Sequence, residues 1–168
     1  RKWYLEKLQQ QPLMWTMYQS LLKNNPTTPG ALTLSCRLAK EKVYSSSAGI
    51  AQIYFGPFPG VKLTAKELDA IIESTPVAAA LQEYIQLDSA EAARMGSQSW
   101  KQLFKAFLAE KKAEMECQGI KVGQIILTGS ASRMTFVPQI VREVFNDISE
   151  DSLMHDMDPS RTISKGLA

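Results

Sequence analysis

One segment in the last third of the sequence restricts the fold more than any other. Ile125-Ile126-Leu127 is a short, uninterrupted apolar run, which is typical of a strand buried on both faces. The small residues of 128–132 follow, and Thr135 is placed to cap a helix. The apolar face of that helix consists of Val137, Ile140, Val141, Val144 and Phe145. A strand, a tight loop and an amphipathic helix in immediate succession predict an α/β arrangement.

A hairpin and a capped helix are predicted in the middle of the sequence. Apolar and polar residues alternate over 50–55 and again over 61–63, and the turn-forming residues 56–60 separate the two runs. This pattern predicts an antiparallel hairpin. The sequence TAKE at 64–67 has the form of a capping box, in which the Thr and Glu side chains satisfy backbone amides at a helix start. The second strand is therefore expected to run directly into a helix.

Helical spacing of apolar residues predicts helix over much of the remaining chain. One apolar stripe extends over 32–43, and another begins at Trp100 and ends near Gly119, which can form a left-handed cap. We expect Trp100, Phe104 and Phe107 to lie in a core. Four lysines of the same helix are expected on its solvated face: Lys101, Lys105, Lys111 and Lys112.

These elements together predict a mixed α/β fold, with a small antiparallel sheet packed among several helices and one strand–loop–helix unit near the end. We expect residues 1–168 to be a single domain cut from a longer protein, since the sequence starts and stops inside helical patterns, the last opened by Asp158-Pro159. Within this domain, residues 1–120 are predicted to form a helical and hairpin outer subdomain. Residues 121–168 are predicted to form a separate functional segment.

Composition excludes several classes of protein. A formal charge of +2, from 19 basic and 17 acidic residues, argues against a nucleic-acid or membrane partner. The apolar runs are too short to cross a bilayer, and Cys36 and Cys117 fit no disulfide framework or metal spacing, so a reducing cytoplasm is expected. Neither of the familiar glycine-rich phosphate loops occurs, and no pair of carboxylates suggests a catalytic or metal centre. We therefore expect no catalytic residue.

The loop at 128–133 is the best candidate site. Gly129 allows close approach of the backbone or a positive φ, the small Ser130 leaves room, and the following helix N-terminus favours anions. Arg133 can stack on an aromatic base or bind a phosphate. The alternative interpretation is a tight connection with an exposed arginine. His155, Asp156 and Asp158 can also be interpreted as metal ligands, but no second cluster completes such a site, so no metal is expected.

Three sequence segments resemble the DnaK-type, seventy-kilodalton heat-shock chaperones. These are IILTGSASRM at 125–134, FVPQIVREVF at 136–145 and DPSRTISKGLA at 158–168, which are similar to the family's strand, Gly-Gly-x-Ser/Thr-Arg loop, amphipathic helix and Asn/Asp-Pro-Asp helix. The upstream CRLAKEKVYSSS at 36–47 is similar to the family's Glu-x-x-Lys-x-x-x-Ser helix. The resemblance is specific over 121–168, moderate over 32–75 and weak elsewhere.

The resemblance implies the second lobe of an actin-like ATPase, which contacts ATP or ADP without hydrolysing it. It implies that Gly129 and Ser130 approach the nucleotide through their backbone, that Arg133 stacks on adenine, and that Lys40 reaches the ribose or phosphate. Magnesium and the phosphates would be held by other segments of the parent protein. An exchange factor or co-chaperone is an implied partner.

The chain departs from the family pattern at four positions. Ser130 replaces the second glycine, Arg37 the ribose-binding glutamate, and Ser160 the aspartate after proline, while Tyr44 lies near the position of a base-contacting serine. Loss of the glutamate removes an acceptor for ribose hydroxyls. Two alternatives therefore remain: a degenerate lobe that binds proteins instead of nucleotide, and an unrelated α/β domain that binds anions.

Overall fold

A computed structural model describes residues 1–81, 85–86 and 88–156 of this mixed α/β protein, apart from the side chain of Ser130. The chain forms two compact units, one of residues 1–71 and one that begins at Ile72. The predicted single domain, with an outer subdomain of residues 1–120 and a segment of residues 121–168, stays a prediction. The predicted helix at Asp158-Pro159 lies outside the described residues.

The first unit packs three helices against a hairpin. Its elements are α1 (Lys2–Gln9), α2 (Pro12–Asn24), α3 (Thr28–Ser45), β1 (Ile50–Ile53), β2 (Val61–Thr64) and the start of α4 (Ala65–Ser74). Tyr4, Leu8, Leu32 and Val43 are the most deeply buried large side chains, so α1 and α3 supply the centre of this core.

The predicted hairpin and capping box are confirmed. β1 pairs antiparallel with β2, with Ile50 opposite Thr64 and Ile53 opposite Val61. The amide of Glu67 donates to Thr64 Oγ1 over 3.2 Å, and the amide of Thr64 donates to Glu67 Oε2 over 3.0 Å. Both orphan amides are thereby satisfied at the junction where β2 turns into α4.

The second unit contains a parallel pair of strands. Its described elements are α5 (Val77–Leu81), α6 (Ser89–Met95), α7 (Trp100–Cys117), β3 (Ile125–Leu127), α8 (Phe136–Val144) and β4 (Leu153–His155). A short 3₁₀ helix at Ser130–Arg133 precedes α8, and another at Glu150–Ser152 follows it. The core contains buried side chains of both strands and of the α8 region: Leu127, Phe136, Val137, Ile140, Val141, Phe145 and Leu153.

The pairing of β3 with β4 corrects two expectations. β4 occupies 153–155, where the sequence analysis predicted no strand, and it runs parallel to β3 with Ile126 opposite Met154. The prediction that β3 is buried on both faces is also wrong, because Ile126 is 61% exposed while Leu127 is buried. The error arises because three consecutive apolar residues are compatible with a strand buried on one face as well as with a strand buried on both.

The ends of two helices test the predicted caps. Gly119 has a φ of 70° just beyond α7, and the amide of Ile120 donates to the carbonyl of Met115, so the predicted left-handed cap is confirmed. The predicted cap of α8 is wrong. Thr135 has helical backbone angles, φ −56° and ψ −33°, and makes no side-chain capping hydrogen bond. The extended residue is Met134, with φ −64° and ψ 127°, so the helical backbone begins at Thr135 and the residue before it has no side-chain oxygen to cap the helix.

The predicted core face of α7 is only partly formed. Trp100 stacks on Phe104 with ring centroids 4.9 Å apart and meets the edge of Phe136, but no α7 side chain is fully buried and Phe107 is 52% exposed. The prediction that four lysines of α7 lie on a solvated face is wrong at two of the four positions. Lys101 pairs with Glu73 and Lys112 with Asp147, and both lysine side chains are about one-fifth exposed (21% and 19%).

No helix in the described part of the chain is long and apolar enough to cross a membrane.

Candidate functional site

The candidate site lies at the carboxyl end of the parallel strand pair. β3 ends at Leu127 and β4 ends beside it at His155, so the segments that leave both strands emerge at one edge. In open α/β sheets, ligands bind at the carboxyl ends of parallel strands, because the loops there diverge and leave a crevice. The predicted loop 128–133 is one of these two segments.

Gly129 has a backbone conformation that only glycine adopts readily. Its φ of 79° and ψ of 155° lie in a region that is essentially closed to residues with a Cβ. A Cβ built on Gly129 meets no atom within 4 Å. The glycine is therefore required by the backbone turn itself, and the space beside it is open to a ligand.

A buried serine locks the turn after Gly129. The amide of Ser132 donates to the Gly129 carbonyl over 3.0 Å, and the Ser132 hydroxyl donates to the same oxygen over 2.7 Å. Ser132 is only 8% exposed. Sequence reasoning missed this role, although a serine three residues after a glycine at the start of a helical turn is a recognisable signal.

Arg133 is presented to solvent at the end of this turn. The residue is exposed, and its guanidinium has no hydrogen-bond or ion-pair partner among the described residues. A planar, unpaired guanidinium can stack on an aromatic ring or bind an anion. At the start of α8 beyond it, the Val137 amide already donates to the Met134 carbonyl over 3.0 Å and Pro138 has no amide hydrogen.

Asp156 enters the site from the end of β4, and the sequence analysis considered it only as a metal ligand. Its amide donates to the Leu127 carbonyl over 2.9 Å, and its Oδ2 accepts from Thr128 Oγ1 over 3.0 Å. The two residues are 28 positions apart in the chain. Their proximity follows from the parallel pairing of β3 and β4, which the sequence analysis did not predict.

Three further predicted residues lie on α3, in the first unit. Arg37, Lys40 and Tyr44 are spaced by three and four residues, so they share one side of the helix. The Arg37 side chain is 71% exposed and pairs with Glu41 over 3.0 Å. Lys40 is half-buried. The structure therefore groups the six predicted residues as three on α3 and three in the glycine turn, each group in its own unit.

The Tyr44 hydroxyl already has a strong partner. It donates to Asp69 Oδ1 of α4 over 2.7 Å. Burial, followed by the hydrogen bond and the charge of Asp69, raises the pKa of Tyr44 well above its ordinary value. This hydroxyl therefore stays protonated at neutral pH and is committed to a contact within the first unit.

Metal ligands and reactive thiols are not assembled in the described residues. Across 1–81, 85–86 and 88–156, no three His, Cys, Asp or Glu side chains are grouped closely enough to hold a metal ion. The alternative ligand Asp158 lies outside these ranges. Burial raises the pKa of the Cys36 thiol, which disfavours the nucleophilic thiolate.

A shallow cavity of about 200 Å³ lies at the other end of α8. Phe145, Ile148 and Leu153 supply its apolar lining, and Arg142 and Glu150 lie among its polar residues. None of the predicted site residues lines it. Among the described residues of the second unit, the glycine turn combines an open backbone with an exposed guanidinium, and the Asp156 carboxylate accepts from its first residue, Thr128.

The fold and the site define a mixed α/β protein with a glycine turn at the carboxyl end of a parallel strand. Comparisons with protein-family models, with curated proteins and with solved structures find no match for this chain. Any function must therefore be argued from the residues themselves.

Proposed function

We propose that this chain is a nucleotide-binding subdomain of a chaperone-like protein with the actin-type ATPase fold, to which it contributes contacts with the adenosine part of ATP or ADP. The observation that carries the proposal is the turn at Gly129. It combines a glycine-only conformation, an open space beside the backbone and an exposed Arg133 at the carboxyl end of a parallel strand. The resemblance of 125–145 to the DnaK-type chaperones supports the same assignment.

Each residue of the turn has a distinct role in this proposal. The open backbone at Gly129 and Ser130 lets the nucleotide approach closely, and Arg133 stacks its guanidinium on the adenine ring. The family resemblance associates Lys40, on α3 of the first unit, with the ribose or phosphate. Arg37 and Tyr44 are the neighbouring α3 positions that the family resemblance associates with ribose and base.

Hydrolysis is not part of the proposed activity of this chain. The sequence has neither of the familiar glycine-rich phosphate loops, so the phosphates and magnesium would be bound by other segments of the parent protein. Nucleotide binding by the chain itself is expected to be weak, since the adenosine contacts alone bury little of the ligand.

The test is a titration of the chain with ATP, ADP and GTP in the presence of magnesium, followed by amide chemical shifts in NMR. We expect ATP and ADP to shift the amides of 128–133 at millimolar concentrations, with GTP weaker. Shifts of equal size for the adenine and guanine nucleotides would reject adenine recognition. Inorganic phosphate serves as a control: if it reproduces the shifts, the turn is a simple anion site.

A second candidate function is a protein-interaction lobe that does not use nucleotide. Leu34 and Leu38, one turn apart on α3, are 56% and 57% exposed, and Leu13 on α2 is 70% exposed. Apolar side chains at helical spacing on a surface favour binding to another protein. The partner expected from the resemblance is a nucleotide exchange factor or co-chaperone.

This alternative is tested with a purified exchange factor of the DnaK-type chaperones. Binding that is independent of ATP and ADP, and that is lost in the double variant Leu34→Ser and Leu38→Ser, would favour the interaction lobe. The double variant Lys7→Ser and Lys66→Ser changes two other positions of the same unit and is the control for a general effect of surface substitution.

A further inference from the structure

The cavity at the far end of α8 combines an apolar lining with three unused polar side chains. The buried side chains of Phe145 and Leu153 belong to the apolar part of the lining. Arg142, Asn146 and Glu150 also line the cavity, and none of these three side chains has a hydrogen-bond or ion-pair partner among the described residues. Sites for small molecules are built in this way, from an apolar lining and a few polar groups that fix the orientation of the ligand.

The volume of the cavity restricts the ligand to a small molecule. The cavity measures about 200 Å³, and a protein cavity of about 150 Å³ holds a single benzene molecule. Pockets for drug-sized ligands measure about 300 to 1,000 Å³. A ligand of roughly ten non-hydrogen atoms therefore fits the cavity, whereas a nucleotide is too large for it.

The two charged side chains of the cavity indicate the chemistry of such a ligand. Arg142 and Glu150 both lie in the described part of the chain, and they form no ion pair with each other, so both charges are available to a ligand. A guanidinium binds a carboxylate through two parallel hydrogen bonds, and a carboxylate accepts hydrogen bonds from an ammonium group. A molecule with a carboxylate, an ammonium group and an apolar side chain would satisfy both residues and the apolar lining together.

We propose that this cavity binds a free α-amino acid with an apolar side chain of about the size of leucine. Arg142 binds the α-carboxylate, Glu150 binds the α-ammonium group, and the apolar side chain packs against Phe145 and Leu153. The Asn146 amide can both donate and accept a hydrogen bond, so it suits either charged group. This inference goes beyond the proposed function and does not depend on it, because the cavity and the glycine turn share no residue.

The test compares L-leucine with four analogues in the wild-type chain, followed by the amide shifts of residues 145–153 in NMR. L-leucine should bind with a dissociation constant of about 1 mM, since so small a ligand makes few contacts. L-leucinamide lacks the carboxylate and N-acetyl-L-leucine lacks the ammonium group, so each should bind about tenfold more weakly. N-acetyl-L-leucinamide, which lacks both charges, and glycine, which lacks the apolar side chain, should bind more weakly still.

Two variants assign each charge of the ligand to its partner. In Arg142→Gln, L-leucine and L-leucinamide should bind with nearly equal affinity, because the carboxylate no longer has a cationic partner. In Glu150→Gln, L-leucine and N-acetyl-L-leucine should bind with nearly equal affinity for the corresponding reason. Asp151→Asn and Arg94→Gln are the matched controls, since both residues are exposed and neither lines the cavity. Both controls should keep the preference of the wild type for L-leucine.

Four results would overturn the proposal. The first is the absence of amide shifts at about 20 mM L-leucine, which exceeds the expected dissociation constant severalfold. The second is binding of L-leucinamide or N-acetyl-L-leucine as tight as that of L-leucine, which would show that only one charge is recognised, as at a peptide terminus. The third is equal binding of glycine, and the fourth is an unchanged preference for L-leucine in both glutamine variants. The first three need only the wild-type chain, so they decide the matter even if a variant does not fold.

Discussion

The Tyr44 hydroxyl donates a hydrogen bond of 2.7 Å to the Asp69 carboxylate, which ties α3 to α4 in the first unit. The two residues are 25 positions apart. Tyr44 is one of the six residues predicted to contact nucleotide, and this bond gives it a structural role that does not depend on a ligand. The stability of the first unit should therefore respond to changes at Tyr44 even when no nucleotide is present.

Removal of this hydroxyl is the first prediction. Tyr44→Phe should lower the free energy of unfolding by about 1.5 kcal/mol, because a hydrogen bond to a charged group is lost and Asp69 loses a donor. Tyr54→Phe is the control, since Tyr54 is 67% exposed and its hydroxyl should contribute little. Urea denaturation of both variants measures the difference. Equal midpoints for the two variants would contradict the structural role.

The same contact predicts a loss of stability in alkaline solution. The pKa of Tyr44 is raised in the folded chain by burial and by Asp69, so the folded state holds the phenolic proton more tightly than the unfolded state. The protonated Tyr44 hydroxyl therefore contributes its full stabilisation below the ordinary tyrosine pKa of about 10, and this stabilisation declines as the pH rises above that value. Thermal unfolding between neutral pH and pH 11 should show this decline. It should be shallower in Tyr44→Phe.

At a second tyrosine, Tyr4, we expect removal of the hydroxyl to increase stability. Tyr4 is completely buried, and its hydroxyl has no hydrogen-bond partner among the described residues. Tyr4→Phe keeps the ring and removes an unsatisfied polar atom, so the free energy of unfolding should rise by about 1 kcal/mol relative to the wild type. Tyr4→Ala should instead lower the free energy of unfolding by about 3 to 5 kcal/mol, because the packing of the ring is lost. A destabilised Tyr4→Phe would show that the hydroxyl is satisfied in solution.

The turn conformation is tested at Gly129. Gly129→Ala should destabilise the second unit by about 1 to 3 kcal/mol, because φ and ψ there are strained for any residue with a Cβ. Gly123→Ala is a matched control, since its Cβ also meets open space but its φ is not positive. Amide hydrogen exchange near β3 reports the difference. Similar protection in both variants would mean that the turn relaxes without cost.

The role of the guanidinium is tested by Arg133→Ala. We expect nucleotide affinity to fall about tenfold while stability changes by less than about 0.5 kcal/mol, because Arg133 is exposed and has no described partner. Arg142→Ala removes an exposed arginine at the far end of the same loop–helix segment and should leave affinity unchanged. Calorimetric titration with ADP provides the measurement. Equal affinities for the two variants would show that Arg133 does not contact the nucleotide.

Local patterns predicted the elements whose partners are close in sequence. The hairpin, the capping box at Thr64 and Glu67 and the left-handed cap at Gly119 each depend on side chains within a few residues of one another, so the pattern contains the interaction itself. The glycine turn was found for the same reason. The missing cap at Thr135 shows the limit of such rules, because the helical backbone begins one residue earlier than the pattern predicts, directly after the extended Met134.

By itself, the sequence determined the mixed α/β class, the hairpin and the turn at Gly129. Only the tertiary structure decided that β4 pairs parallel with β3, that Asp156 reaches Thr128 and that the Tyr44 hydroxyl is bound by Asp69. The short apolar run at 153–154 carries no signal for a partner strand, and each of these contacts joins residues 25 or more positions apart. Such contacts depend on how the elements pack, which no local periodicity encodes.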